Sequence, residues 1–287
     1  MPELPQVEAL RGWLAEHLTG RVISGVQLTD FSALKTYKPP VDALIGLEVA
    51  GVARYGKFID VDAQGVHLVF HLARAGWLTW KDAQPTTPAR PGKGPLSLRV
   101  ILDDGSGFDL TEAGTQRKLA IYVVTDPHQV PGIASLGPDP LSDTFDRADL
   151  DAILAAAGRS QLKGVLRDQR VIAGIGNAYS DEILHAARLG PFTPAASLDD
   201  AGRQVLFDSI RAVLADALSR SSGLPPAQLK DDKRTAMRVH GRTGQACDVC
   251  GTTIAEVHFA DSSLQYCPGC QTGGKLLADR RMSKLLR

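Results

Sequence analysis

The four cysteines of this chain constrain its fold more than any other feature. They form two pairs late in the sequence, in the pattern C-x2-C-x16-C-x2-C: Cys247, Cys250, Cys267 and Cys270. Two residues between cysteines let both thiolates point at one tetrahedral metal ion, and two such pairs complete a four-sulfur site. Because all four ligands come from the protein, the pattern predicts one structural Zn²⁺ in a closed site.

The residues between the two cysteine pairs predict a β-hairpin. Strand-like stretches at 258–260 and 264–266 flank a turn at 261–263. Disulfides are the alternative, and they are disfavoured in the reducing interior of a cell. A zinc hairpin by itself is compatible with binding DNA, RNA or protein, so it does not define a function.

Composition indicates a soluble globular protein. The chain has 287 residues, of which 44% are hydrophobic and 22% charged, enough for a sizeable core. No apolar run approaches the roughly 20 residues of a membrane-spanning helix. The first residues lack the basic segment of a secretory signal. We therefore expect a cytoplasmic protein with no membrane partner.

The first half of the chain has the pattern of an antiparallel β-sandwich or barrel. Apolar residues spaced three and four apart predict a helix over 6–20. Short Val-, Ile- and Leu-rich segments separated by Gly- and Asp-rich turns follow it. These predicted strands are 21–30, 46–55, 58–62, 67–72 and 97–102.

From about residue 132 the pattern becomes helical. The predicted helices are 149–157, 160–169, 177–188 and 197–221. Ser197 followed by Asp200 has the spacing of a capping box for the last of them. Residues 84–95 and 221–233 are predicted loops. The expected domains are 1–132, 133–235, 236–273 and a basic tail, 274–287.

The N-terminus carries a candidate nucleophile. Removal of Met1 would expose Pro2, a secondary amine whose pKa is expected only about one unit above neutrality. Such an amine can attack a sugar C1′ and form an iminium ion, which serves as an electron sink. Glu3, beside it, can transfer protons. Without further support, an ordinary frayed Pro-Glu terminus is the simpler interpretation.

Three motifs together resemble one family. They are PELPxVE at 2–8, GIGNAYSDE at 174–182 and the zinc hairpin. In this combination and order, they are similar to the formamidopyrimidine-DNA glycosylase / endonuclease VIII family of base-excision repair enzymes. The resemblance covers almost the whole chain.

The resemblance implies an α+β multidomain fold. An N-terminal antiparallel β-sandwich with flanking helices would precede a helical helix–two-turns–helix domain and the C-terminal four-cysteine zinc-finger hairpin. The expected partner is double-stranded DNA with a damaged base or abasic site, bound by a monomer.

The resemblance also implies roles for individual residues. Pro2 would be the Schiff-base nucleophile, Glu3 the proton donor and acceptor, and Lys57 a lysine acting near the phosphate and in elimination. Considered without the resemblance, Lys57 is better explained as a solvated turn residue. Asn177, Lys163 and Arg242 stand where family members contact DNA phosphates.

The implied reaction is excision of a damaged, flipped-out base, followed by β- and δ-elimination. It would leave a one-nucleotide gap with a phosphate at each end. The main alternative is a relative that binds damaged or abasic DNA, or acts as an AP lyase, with little base excision. A zinc-stabilised protein-interaction domain is a third, which the Pro2-Glu3 start disfavours.

Several positions depart from the family pattern. Gln6 replaces a glutamate. Arg74 stands where many members insert a methionine into the void left by the flipped base, and an exposed arginine at a strand end explains it equally well. The segment 111–118 lacks an Arg-x-Phe pair, so Gln116, Arg117 or Lys118 could take over the intercalating role. The finger turn at 261–263 lacks an arginine, and 223–234 does not match the loop that covers 8-oxoguanine. These departures leave open which lesion is excised.

Charge is distributed unevenly although 32 basic and 32 acidic side chains cancel. Residues 1–132 carry a net charge of −1, residues 133–229 carry −3, and residues 230–287 carry +4. Neutrality therefore excludes only a protein coated uniformly in positive charge, and we expect weak binding of undamaged DNA.

Overall fold

The computed structural model describes residues 2–92, 94–114, 116–259 and 262–278. The chain separates into two compact units. The first comprises 1–136 with 221–230, and the second comprises 137–220 with 231–287. The segment 221–230 was predicted to belong to the second domain. It joins the first unit because Trp77 Nε1 donates to the Pro226 carbonyl at 3.2 Å and Lys230 Nζ lies 4.5 Å from the Trp77 ring centroid.

The first unit is a two-sheet sandwich with flanking helices. Helix α1 (Leu4–Leu18) precedes eight strands and the short helix α2 (Pro131–Ala134). The strands are β1 (Ile23–Leu28), β2 (Val49–Tyr55), β3 (Phe58–Ala63), β4 (Val66–His71), β5 (Gly76–Lys81), β6 (Leu96–Leu102), β7 (Gly107–Glu112) and β8 (Ala120–Val124).

All strand pairs of this unit are antiparallel. One sheet has the order β1-β6-β7-β5 and the other β2-β3-β4-β8. Runs of three or four consecutive residues are buried in β4, β6 and β7. The buried rings of Phe70 on β4 and Phe108 on β7 lie 6.1 Å apart, so the two inner faces share one core. The predicted sandwich is confirmed.

The second unit is mainly helical. It contains α3 (Arg147–Ala157), α4 (Leu162–Arg167), α5 (Asn177–Ala186), most of α6 (Asp200–Ser221) and most of α7 (Leu229–Ala236). A hairpin of β9 (Ala255–His258) and β10 (Ser263–Tyr266) and the short helix α8 (Pro268–Gln271) follow. Buried apolar residues of α3 to α6 form a core of their own.

Most predicted elements agree with the structure to within a few residues, and three predictions need correction. The segments β5, β7 and β8 were not predicted as separate strands. Residues 221–233 are not entirely loop, because α7 begins at Leu229. The cap of α6 is not Ser197, whose hydroxyl donates to the Pro194 carbonyl. Instead, the Asp199 carboxylate accepts the Gly202 N–H at 2.8 Å, which satisfies a free donor of the first turn.

The described part of the chain contains no helix with the length and apolar character needed to cross a lipid bilayer. The turn residue Asp261 and the tail residues 279–287 lie outside the described residues, as do Met1, Lys93, Thr115 and Ala260.

Candidate active site and metal centre

Pro2 and Glu3 lie at the start of α1, in the first unit. Glu3 is the N-cap residue and is only 2% exposed. Its carboxylate accepts the Gln6 N–H, while the Gln6 side-chain oxygen accepts the Glu3 N–H at 3.4 Å. This reciprocal capping box holds the backbone that follows Pro2 in a fixed conformation. Glutamine closes such a box as glutamate does, which gives Gln6 a structural role despite its departure from the family pattern.

Lys57 lies in a tight turn between β2 and β3. Tyr55 pairs with Phe58, which leaves Gly56 and Lys57 as the two turn residues. Gly56 has a φ of 55°, a left-handed conformation that glycine adopts without strain. Lys57 is 9% exposed, so it is not the freely solvated turn lysine that its sequence position alone would suggest.

An arginine connects the Lys57 turn to the helix that begins at Glu3. Arg54 Nε lies 2.7 Å from the Glu8 carboxylate on α1, and its Nη1 donates to the Gly56 carbonyl at 3.2 Å. Burial acts to raise the pKa of Glu8, but hydrogen bonds from Arg11 and Arg54 outweigh it and lower the pKa overall. Arg54 therefore links the turn that carries Lys57 to the helix that follows Glu3, both within the first unit.

His71 belongs to the surroundings of Lys57, which the sequence interpretation did not recognise. It pairs with Phe58 across β3 and β4, and the two rings lie 4.8 Å apart. Burial, with the nearby positive charge of Lys57, lowers the pKa of His71 to about 4. Its Nδ1 accepts the Ala73 N–H at 3.2 Å, so the neutral ring carries its proton on Nε2.

Arg74 and Arg117 are both exposed, but their environments differ. Arg74 follows Ala73, which has a φ of 50° and turns the chain sharply after β4. Arg117 Nη1 lies 3.2 Å from the Asp30 carboxylate, and Nη2 donates to the Gly94 carbonyl at 2.8 Å. Its charge is therefore partly neutralised within the first unit.

In the second unit, Lys163 occupies an interior position. Its side chain is 5% exposed, and its ammonium group lies 2.6 Å from the Asp181 carboxylate. The same group donates to the Asn177 carbonyl at 3.0 Å and to the Ser180 hydroxyl at 2.8 Å. An ammonium has three protons, and these three acceptors use them. Lys163 therefore fixes α4 to the first turn of α5, and the phosphate contact expected for it stays a prediction.

Asn177 is the first residue of α5 and follows a glycine-rich turn. Gly174 has a φ of 85°, and the extended Gly176 is the residue before the helix. The Asn177 side-chain Nδ2 donates to the Ser263 carbonyl at 2.7 Å. The helix start that was predicted to face phosphate is therefore also tied to the zinc-finger hairpin.

Two carboxylates on α5 hold the chain that leads into the cysteine pairs. Glu182 accepts the backbone N–H groups of Arg238, Val239 and His240 at 2.8–3.0 Å. Asp181 lies 2.8 Å from His240 Nδ1. Burial raises the pKa of Glu182 although the three N–H groups oppose it.

Arg242 is engaged within the finger itself. Its two terminal nitrogens lie 2.7 and 3.1 Å from the two oxygens of Asp248, a bidentate pair. Its Nε donates to the Gln245 side chain at 2.9 Å. In this arrangement Arg242 braces the first cysteine pair, and its predicted contact with DNA would require it to share or leave Asp248.

The four cysteine sulfurs converge on one point. Cys247 and Cys270 Sγ lie 3.9 Å apart, and Cys250 and Cys267 Sγ lie 3.3 Å apart. Four thiolates around one zinc ion would be separated by about 3.8 Å, given Zn–S bonds of about 2.3 Å. A Cβ on Gly269 would come within 3.0 Å of Cys250 Sγ, so glycine leaves room for the sulfurs to close. The donor set and its spacing fit Zn²⁺.

A fifth metal-binding side chain lies at this cluster, and sequence reasoning missed it. His185 on α5 places its Nε2 3.3 Å from Cys247 Sγ. The ring and the cysteine are 62 residues apart in the chain, so no local spacing rule connects them. One indication was present in the sequence: His185 follows Asn177 by eight residues, a spacing that places both on one face of α5.

Three protein-family models match successive parts of the chain. Residues 1–118 match the model of the formamidopyrimidine-DNA glycosylase N-terminal domain, and 136–225 match that of its H2TH domain. Residues 244–273 match a zinc finger found in FPG and IleRS. The formamidopyrimidine-DNA glycosylase of Laribacter hongkongensis is 34% identical over 287 residues, which cover 94% of this chain and 100% of that protein. The chain belongs to the formamidopyrimidine-DNA glycosylase family.

Two further similarities agree with this assignment. An uncharacterised formamidopyrimidine-DNA glycosylase-like protein of Mycobacterium tuberculosis is 55% identical over 153 residues, 53% of this chain and 95% of that protein. The Lactococcus lactis Fpg, solved in complex with a DNA that contains an abasic site, shares the fold with a TM-score of 0.81. That structure is 22% identical and covers 94% of this chain and 99% of its own.

The formamidopyrimidine-DNA glycosylase family assignment confirms the predicted fold and the predicted metal. The cysteine cluster is a structural zinc site, and the finger that it organises is the family's C-terminal zinc finger.

Proposed function

We propose that this protein is a base-excision repair DNA glycosylase with AP lyase activity, and that Pro2 is its nucleophile. Membership of the formamidopyrimidine-DNA glycosylase family supports the reaction class. The observation that supports the nucleophile is the capping box between Glu3 and Gln6, which fixes the residue after Pro2 at a buried helix start.

In the proposed reaction, the Pro2 amine attacks C1′ of the flipped-out nucleotide, and the C1′–base bond breaks. The nitrogen then loses its proton, and its lone pair forms an iminium ion with C1′ as the C1′–O4′ bond breaks and O4′ takes up a proton. Loss of a C2′ proton expels the 3′ phosphate in β-elimination, and a second proton loss expels the 5′ phosphate in δ-elimination. Glu3 transfers protons at the sugar, and Lys57 assists elimination near the phosphate.

The substrate is proposed to be duplex DNA with a damaged base or an abasic site. The structurally similar Lactococcus lactis Fpg was solved with abasic DNA. The second unit supplies a helix start at Asn177, and the positive end of the helix dipole there favours an anion. Cytoplasmic or nucleoid localisation follows from this proposed substrate.

Borohydride trapping tests the proposal. The full chain is incubated with an abasic duplex and a panel of lesion duplexes in the presence of borohydride, which reduces the iminium to a stable covalent adduct. We expect trapping by the wild-type chain and none by Pro2→Gly. Pro5→Ala, which alters another proline of the same helix start, is the matched control and should trap normally.

The outcomes separate the alternatives. Trapping on abasic DNA alone would leave a lyase without base excision, the alternative considered from the sequence. Gln6, one of the departures from the family pattern, completes the capping box with Glu3. Absence of any adduct, with zinc bound and Met1 shown by intact mass to be removed, would contradict the proposed nucleophile.

A further inference from the structure

The zinc site has more donors than it has coordination positions. Zinc in a structural site takes four ligands, and five metal-binding side chains surround this one. They are the four cysteines and His185, whose side chain is buried. The donor atoms of His185, Cys247, Cys267 and Cys270 all lie within 4.8 Å of one another.

The five donors are not equally protected. Cys247 and Cys267 are buried, and Cys270 is half-buried, whereas Cys250 is exposed. His185 is only 4% exposed. A set composed of the histidine and three cysteines would therefore be more shielded from solvent and from reactive molecules than the four-cysteine set.

His185 already lies at a distance close to that of a ligand. With Zn–N of about 2.1 Å and Zn–S of about 2.3 Å, tetrahedral ligands are about 3.6 Å apart. The observed distance from His185 Nε2 to Cys247 Sγ is 3.3 Å. The imidazole and Cys270 also border a cavity of about 400 Å³, which gives the ring space for a small shift.

Helix α5 holds this histidine firmly against the finger. One turn before His185, Asp181 accepts the Gln265 N–H at 3.3 Å, and Glu182 holds three backbone N–H groups ahead of the first cysteine pair. Since these contacts do not involve a cysteine, loss of one sulfur ligand would leave them in place. The ring would remain at the metal.

We propose that His185 is a reserve zinc ligand that replaces Cys250, so that the finger keeps its metal when this exposed sulfur is blocked or lost. With all four thiolates bound, a protonated His185 Nε2 donates a hydrogen bond to Cys247 Sγ, as outer-sphere partners of zinc ligands do.

In the exchange, the bond from zinc to Cys250 Sγ breaks and a bond from zinc to His185 Nε2 forms. The imidazole proton moves from Nε2 to Nδ1 through solvent, and the released thiolate takes up a proton from water. No electrons are transferred. The net charge of the complex becomes one unit less negative, which is favourable at a half-buried site.

The test uses the full-length chain and three variants: Cys250→Ala, His185→Gln and the double variant. Zinc content is measured after gel filtration, and affinity by chelator competition. We expect Cys250→Ala to retain one zinc and the double variant to bind zinc at least about 100-fold more weakly than Cys250→Ala. His185→Gln alone should lose about tenfold in affinity, the effect of removing an outer-sphere partner.

Cobalt substitution identifies the ligands directly, because its visible spectrum distinguishes four sulfurs from three sulfurs and one nitrogen. The His185→Gln chain should give a four-sulfur spectrum. The Cys250→Ala chain should give a three-sulfur, one-nitrogen spectrum that is lost in the double variant. Cys250→Ala combined with His128→Gln, a histidine of the other unit, should behave as Cys250→Ala alone.

Two results would overturn the proposal. One is a Cys250→Ala chain that loses zinc as completely as the double variant. The other is a cobalt spectrum of Cys250→Ala that His185→Gln leaves unchanged. Cys250→Ser serves as a second variant at the same position. Failure of both Cys250→Ala and Cys250→Ser to fold with zinc would also count against a reserve ligand. None of these measurements depends on glycosylase activity.

Discussion

The Asn177 side chain on α5 donates a hydrogen bond to the carbonyl oxygen of Ser263 on β10, at 2.7 Å. The residue predicted to bind a DNA phosphate therefore also connects the helical part of the second unit to its zinc finger. The same helix contacts the finger through Asp181, Glu182 and His185, so it serves as the support on which the finger is built.

Asn177→Ala tests whether this link matters for DNA binding. The variant loses one neutral hydrogen bond, about 1 kcal/mol, together with the amide proton left for a phosphate. We expect affinity for an abasic-analogue duplex to fall about fivefold to tenfold, with zinc content unchanged. Fluorescence anisotropy at fixed salt measures it, and unchanged affinity would contradict the role proposed for Asn177.

Glu182→Gln tests how the finger is supported. In the wild type, the two carboxylate oxygens accept three backbone N–H groups. The substitution replaces one of these oxygens by an NH₂ group, so at least one backbone N–H loses its acceptor, at a cost of about 2 kcal/mol. We expect backbone amides 238–240 to exchange with deuterium about 30-fold faster, as local opening becomes easier. Glu16→Gln, at an exposed position on α1, is the control, and equal protection in both variants would refute the expectation.

Lys57→Met removes the ammonium group and keeps the length of the side chain. If Lys57 assists elimination, strand cleavage at an abasic site should slow about 100-fold, the usual effect of losing a proton-transfer group. Borohydride trapping at Pro2 should persist. The exposed Lys38→Met controls for loss of one positive charge, and an equal effect of both variants would show that only bulk charge matters.

His71 should make stability depend on pH. Its pKa is about 4 in the folded chain and 6.5 in the unfolded chain, so the unfolded chain binds more protons between these values. Stability should therefore fall as pH decreases from 6.5 to 4, and this contribution should level off below 4. His71→Asn keeps an acceptor for the Ala73 N–H but does not titrate.

The comparison is made by urea unfolding at the two ends of that pH range. All three tryptophans, Trp13, Trp77 and Trp80, lie in the first unit with His71, so their fluorescence reports the relevant transition. The wild type should lose more stability on acidification than His71→Asn. Parallel losses in the two proteins would assign the pH dependence to other groups.

Arg74→Ala and Arg117→Ala should have unequal effects on damage recognition. If Arg74 fills the void left by a flipped base, its removal should weaken binding to an abasic duplex about tenfold and leave undamaged duplex unaffected. Arg117 is already paired with Asp30, so its removal should change binding less. Arg90→Ala in an exposed loop is the control, and a larger effect of Arg117→Ala would reverse the assignment.

Features with a local cause were predicted well. The zinc ligands follow from cysteine spacing alone, because two residues between cysteines fix the geometry of each pair. The strands at 58–62 and 97–102 follow from apolar content between turn residues, and the structure places them at Phe58–Ala63 and Leu96–Leu102. The capping error at α6 was also local, since Asp199 and Ser197 compete for the same helix start.

Features that depend on distant residues were not predictable in this way. Lys163 matches a family position, but only its environment shows that Asp181, Ser180 and Asn177 take up its ammonium protons. Arg242 likewise has its guanidinium paired with Asp248. In both cases the partner of a charged group decides whether the charge is available to DNA.

The sequence by itself determined the two-sheet and helical architecture and the zinc ligands, because period, turn residues and ligand spacing act over a few neighbouring residues. Only the tertiary structure decided which charges are paired, that 221–230 joins the first unit, and that His185 lies at the zinc site. The physical reason is that a buried polar group forms hydrogen bonds with whichever groups lie next to it in the folded chain, and folding places residues side by side that are far apart in the sequence.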